Sequence, residues 1–109
     1  MLAQLLGSVN KEYALVYLAA RDRGYAREIA RFFNTALDPV QKALDALEAA
    51  GVLVSRSVGN TREYEFSPRY PARNELAALL KRALDLYPSQ MRDDLLITRT
   101  RPRRKAKPL

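Results

Sequence analysis

The 109-residue chain contains no cysteine, which excludes a disulfide framework, a thiolate metal site and a thiol redox switch, and allows an intracellular location. Histidine is absent as well. The commonest general base and the commonest transition-metal ligand are therefore both missing, and only carboxylate metal sites remain open. The four glycines, Gly7, Gly24, Gly51 and Gly59, stand apart and build no phosphate-cradling loop. The longest uninterrupted apolar run, Tyr13 to Ala20, falls far short of the roughly 20 residues that span a bilayer. Residues 1–9, MLAQLLGSV, lack the positive start and the cleavage site of a secretory signal, so a cytoplasmic protein without a membrane segment is expected. Asp93 and Asp94 are adjacent and point in different directions on a helix or a strand, a poor acid/base pair. The serines have no plausible base. No enzyme is expected, and no catalytic residue, metal or cofactor.

What is present is apolar content and unevenly placed charge. At 48% apolar, the chain can bury one core without covalent staples. The net charge is +7, with 19 basic and 12 acidic residues. Six of the basic residues, Arg99, Arg101, Arg103, Arg104, Lys105 and Lys107, fall in the last eleven positions, leaving 13 against 12 in residues 1–98. This is a nearly neutral domain with a cationic tail. Such a tail either solubilises the terminus or serves as a phosphate-binding arm, and clustered arginines without acids repel one another unless an anion relieves them.

Apolar spacing organises the rest. Val9, Tyr13, Val16, Tyr17 and Ala20 predict a helix from Val9 to about Arg23, ended by Gly24. YAREIARFFN predicts a short amphipathic helix with Ala26, Ile29, Ala30 and Phe33 on one face, stopping near Asn34. NTALDPVQKALDALEAAGVL predicts a third, with Leu37, Val40, Leu44 and Leu47 inward and Gly51 as its stop. Its start fits either a cap at Thr35 or Asp38 followed by Pro39. From Val52 the period changes to two: VLVSRSV, Gly59-Asn60 and TREYEF predict a hairpin with Tyr64 and Phe66 on one face. Pro71 can open a long helix, ARNELAALLKRALDLY, which Pro88 ends. Residues 89–98 suit a short helix or strand, and the tail from Arg99 is expected to be disordered without a partner.

Three helices, a two-stranded hairpin and a further helix follow the winged helix-turn-helix order: mainly α with a small β-hairpin, over residues 1–88, then an extension and basic tail over 89–109. In LLGS near the start, YAREIARFF, VQKALDALEAAGVL and GNTREY, from about Leu5 to Tyr87, the chain resembles the ArsR-like family of bacterial and archaeal winged-helix transcriptional regulators. The resemblance implies a DNA-binding repressor, usually a homodimer, with its third helix in the major groove of double-stranded DNA. The chain departs from metal-sensing members in having no Cys or His ligands, so metal sensing is not carried over and no effector is identified.

On the third helix Asp38, Gln41, Lys42 and Asp45 lie opposite the apolar stripe. They are either its solvated face or a set of base readers, since Gln suits adenine, Lys suits guanine and carboxylates suit cytosine. Phosphate contacts would come from Tyr25 and Arg27, from Arg56, Asn60 and Arg62 in the hairpin, and from the tail. Against this, Tyr25 could merely pack, and Arg56 and Arg62 could pair with Glu63 or Glu65 across the hairpin. On the last helix Leu76, Leu79, Leu80, Ala83, Leu84 and Tyr87 could cover the monomer's own core, or pair with a second copy to make it a dimerisation helix, or both, with Leu2, Leu5 and Leu6 as a supplement. Two other readings stay open: a winged-helix module that binds protein through its acid-biased third helix, and a nonspecific nucleic-acid binder driven by the tail.

Overall fold

The computed structural model describes residues 1–96; the basic positions from Arg99 to Lys107 lie outside them. A single turn of helix, α1 (Ala3–Leu6), ends at Gly7 in the left-handed region with φ 77°. Ser8 then accepts a hydrogen bond from Lys11 N–H at 3.2 Å and so caps α2 (Val9–Arg21), satisfying one of the unpaired N–H groups of its first turn. Helix α2 is the centre of the molecule: Ala14, Leu15, Val16, Tyr17, Leu18 and Ala20 are all buried. Val9, assigned to its inward face on spacing, is instead 45% exposed in the first turn of the helix.

Gly24 does not end α2. The helix stops at Arg21, Asp22 takes a positive φ of 73°, and Arg23–Tyr25 form a strand, β1. Helix α3 (Ala26–Phe32) follows at once, with Glu28 Oε1 accepting from Tyr25 N–H at 3.0 Å. Asn34, in the left-handed region at φ 54°, turns the chain after it, a conformation that asparagine tolerates better than most residues. Helix α4 (Leu37–Ala49) starts without a side-chain cap, so neither Thr35 nor Asp38 fills that role. Asp38 lies in the first turn, where a carboxylate favours the helix dipole, and Pro39 falls where a missing N–H costs nothing. Val40, Ala43, Leu44 and Leu47 are buried; Leu37 is 41% exposed and does not belong to the inward stripe.

Strands β2 (Leu53–Val58) and β3 (Thr61–Phe66) pair antiparallel from Leu53↔Phe66 to Val58↔Thr61. The two residues between them are Gly59 and Asn60, with positive φ at the glycine only, the pattern of a type II′ hairpin turn. Strand β1 adds to the other edge of β3 through Gly24↔Tyr64, giving a three-stranded sheet of order β1-β3-β2. The hairpin predicted from the two-residue period is thus part of a larger sheet. Its central strand is held on both sides.

Helix α5 (Arg73–Asp85) begins two residues after Pro71, and the chain becomes helical again over 89–96 beyond Pro88. Leu80, Ala83 and Leu84 are buried in the chain's own core together with Leu2 and Leu95, and Leu76, Leu79, Leu6 and Tyr87 pack partly against it. Of the coverings open to this stripe, burial in the chain's own core against α2 is the one that takes Leu80, Ala83 and Leu84. Leu5 of that set is 70% exposed, and Leu86, at the end of α5, is 58% exposed. Glu12, buried beneath the N-terminus, accepts from Leu2 N–H at 3.0 Å and from the Tyr87 hydroxyl at 2.8 Å, tying α1, α2 and the end of α5 together. Burial, reinforced by that carboxylate, pushes the Tyr87 hydroxyl pKa well above its ordinary value.

Candidate nucleic-acid interface

Helices α3 and α4 and the β2–β3 hairpin meet around a cleft of about 360 Å³. Tyr25 and Arg27 at the start of α3 form one wall, Gln41 and Asp45 of α4 the floor, and Asn60 and Arg62 of the hairpin the other wall. The exposed Leu37 completes the lining beside them. Six of the residues singled out in the sequence are thus brought together. Arg27 is exposed and makes no ion pair or hydrogen bond among the described residues, the state in which a cation can meet a phosphate without first breaking a bond.

The other charged groups are more committed. Lys42 Nζ lies 3.3 Å from Asp38 Oδ2 one helical turn away, with both side chains 78% exposed. Such a pair contributes only about 0.3–0.5 kcal/mol, so it can open toward a stronger partner. Arg56 does what its cross-strand position allows: its Nε and Nη2 donate to Glu63 Oε1 at 3.1 and 3.0 Å. Arg56 does not line the cleft, and of the two pairings the sequence allowed across the hairpin it takes the one with Glu63. Arg62 avoids both glutamates; its Nη1 donates to Ser55 Oγ at 3.0 Å, and that hydroxyl in turn donates to Glu48 Oε2 at 2.6 Å. Glu48 of α4 is thereby linked through Ser55 to the arginine of the hairpin.

A second link joins the hairpin to α4, and the sequence pattern did not reveal it. Tyr64 is buried, 1% exposed, yet its hydroxyl reaches α4, accepting from Gln41 Nε2 at 2.8 Å and donating to Asp45 Oδ1 at 3.2 Å. Gln41 Nε2 also donates to Asp45 Oδ1, at 3.1 Å. Gln41 and Asp45 therefore do not stand free on the outer face of α4; they are turned toward β3 and joined to it. Period-two alternation marked Tyr64 only as an inward aromatic. The usable signal was the hydroxyl on that residue opposite a helix carrying a polar pair four residues apart. Burial raises the Tyr64 hydroxyl pKa above its ordinary value.

A three-helix core, a helix–turn–helix pair and a hairpin packed beside the second helix decide the architecture. The fold is a winged helix-turn-helix. Helix α4 stands in the recognition position and the β2–β3 hairpin is the wing. No protein-family model matches the chain, and no curated protein matches it. Among solved structures, the chain is similar to a MepR-like protein complexed with pseudoligands (18% identity, TM-score 0.55, covering 86% of this chain and 72% of that one). It is also similar to a double mutant of Lactococcus lactis ZitR in its apo form (15% identity, TM-score 0.53, covering 97% and 95%). A third is the adhesin competence repressor AdcR of Streptococcus pyogenes (15% identity, TM-score 0.50, covering 97% and 91%). At these identities the likeness is one of fold. Among the described residues no cluster of carboxylates could hold a metal ion, and no helix is long and apolar enough to cross a membrane.

Proposed function

We propose that this chain is a sequence-specific regulator of transcription that binds double-stranded DNA, with α4 in the major groove and the wing against the adjoining backbone. The observation that carries the reading is the cleft itself, where the exposed Arg27, the wing's Asn60 and Arg62, and the polar groups of α4 converge on one side of the winged helix. Base reading falls to Gln41, Lys42, Asp38 and Asp45; holding phosphate falls to Tyr25, Arg27, Asn60, Arg62 and the basic tail, two tasks that different residues can perform. The ArsR-like resemblance of the sequence is our assignment of the branch within that fold. Repression by blocking a promoter is the mode we favour, in keeping with the repressor described for the Streptococcus pyogenes neighbour.

A homodimer fits this reading, because two copies related by a two-fold axis would present α4 to successive major grooves. With Leu80 and Leu84 buried inside one copy, the surface we assign to it is the apolar depression lined by Met1, Val9, Leu86, Pro88 and Met91. The test is selection from a random duplex pool, followed by titration of the selected and a scrambled site at two salt concentrations. An enriched, roughly palindromic site with half-sites about one helical turn apart is expected. Equal affinity for both sequences would leave a nonspecific binder, and no binding at low salt would leave the acid-biased α4 as a protein-binding surface.

A further inference from the structure

The hydrogen bonds around Gln41 restrict what that side chain can say to a base. The Asp45 carboxylate accepts and cannot donate, and it takes one hydrogen from Gln41 Nε2 at 3.1 Å and the single hydroxyl hydrogen of Tyr64 at 3.2 Å. Having spent its hydrogen on Asp45, the Tyr64 oxygen can only accept from Gln41, and it does so from Nε2 at 2.8 Å. Both amide hydrogens of Gln41 are then committed. Turning the amide over would set Oε1 about 3.1 Å from an Asp45 carboxylate oxygen that has no hydrogen to offer, so chemistry fixes the orientation. Tyr64 cannot swing away to relieve it, because its ring is buried and β3 is bonded to strands on both edges. Gln41 Oε1 has no partner among the described residues.

A free glutamine recognises adenine with two bonds, Nε2 donating to N7 and Oε1 accepting from N6. Here the first half is taken. We infer that Tyr64, acting with Asp45, is a specificity-positioning residue: it holds Gln41 as an acceptor only, selecting amino-bearing bases, adenine or cytosine, over guanine and thymine at the position it faces. Guanine O6 and thymine O4 are acceptors and would meet Oε1 with repulsion, whereas adenine N6 and cytosine N4 each supply a hydrogen. The inference rests on the DNA-reading role of α4 and adds to it which edge is read and why.

The experiment is to bind the wild type, Tyr64→Phe, Asp45→Asn and Gln41→Ala to every single-base substitution of the selected site, with a melting curve for each variant. Tyr64→Phe keeps the ring and frees one Nε2 hydrogen, so the position that tolerates adenine and cytosine in the wild type should narrow to adenine, by on the order of tenfold over cytosine. Asp45→Asn supplies a donor that lets the amide turn over, and tolerance of guanine or thymine should rise at that same position. Gln41→Ala should abolish the preference there. Base profiles of Tyr64→Phe and Asp45→Asn identical to the wild type, in folded proteins, overturn the inference while leaving a DNA regulator standing. A wild type with no base preference anywhere overturns the DNA-reading role first, and this inference with it.

Discussion

A methyl group on residue 24 would lie 2.7 Å from Tyr17 Cε1 and 3.1 Å from Cδ1, closer than carbon atoms pack. That contact explains Gly24, which spacing alone marked as the end of a helix. The glycine lets β1 lie directly on the ring of Tyr17, and its partner across the sheet is Tyr64, whose hydroxyl bonds to Gln41 and Asp45 of α4. Tyr17 is itself held: its hydroxyl accepts from Arg21 Nη1 at 2.7 Å, and its ring meets Phe32 edge-on at 6.0 Å. With the ring fixed, Gly24→Ala must move β1, and we expect a loss of about 1–3 kcal/mol of stability, the usual range for overpacking a close contact. Urea denaturation of the two proteins measures it; unchanged stability would mean that the Tyr17 ring yields. The glycine was visible in the sequence but its reason was not, because a close approach depends on which strand lands on which helix.

At the scale of elements, α2, α4 and α5 were legible because their apolar residues recur every three or four positions, and the wing because its period changes to two. Strand β1 was not. Three residues, Arg-Gly-Tyr, are too few to show a period, and their pairing with residues about 40 positions later is specified by the sheet rather than by local pattern. The leucines of α5 show a different kind of ambiguity. Leu80 and Leu86 look alike in sequence, since a stripe covered by its own chain and one covered by a second copy share the same spacing. The structure separates them: Leu80 has no exposed surface and Leu86 is 58% exposed. Leu80→Glu should therefore unfold the domain, because a carboxylate would be buried without a partner, at a cost comparable to the whole stability of a small domain. Leu86→Glu should leave circular dichroism and melting nearly unchanged and shift sedimentation from dimer to monomer. A Leu86→Glu protein that keeps the wild-type mass would remove the Met1–Val9–Leu86 surface as the dimer contact.

For the molecule as a whole, the proposed function requires a winged helix with little positive charge on α4 to hold a polyanion. Asp38 and Lys42 offset each other, Asp45 faces its donors Gln41 and Tyr64, and Arg56 is paired with Glu63, so among the described residues the cations at the cleft outside any ion pair are Arg27 and Arg62. Residues 1–98 carry 13 basic against 12 acidic side chains, while Arg99, Arg101, Arg103, Arg104, Lys105 and Lys107 add six cations and no acid. On the proposed function, that balance assigns affinity mainly to the tail and discrimination to α4, a division that follows from phosphate contacts being blind to sequence. Truncation after Thr98 should then weaken binding to the selected and the scrambled site by similar factors. It should also flatten the dependence of log affinity on log salt by about 0.9 for each phosphate the tail no longer neutralises. The base profile at the position assigned to Gln41 should survive, since the groups that bond that amide among the described residues, Asp45 and Tyr64, stay in place. Fluorescence anisotropy across a salt series on both duplexes measures slope and ratio together. If the truncated protein binds scrambled DNA as tightly as the full chain and with the same slope, the tail is a solubilising terminus, and the holding of phosphate must be reassigned to Arg27 and the wing.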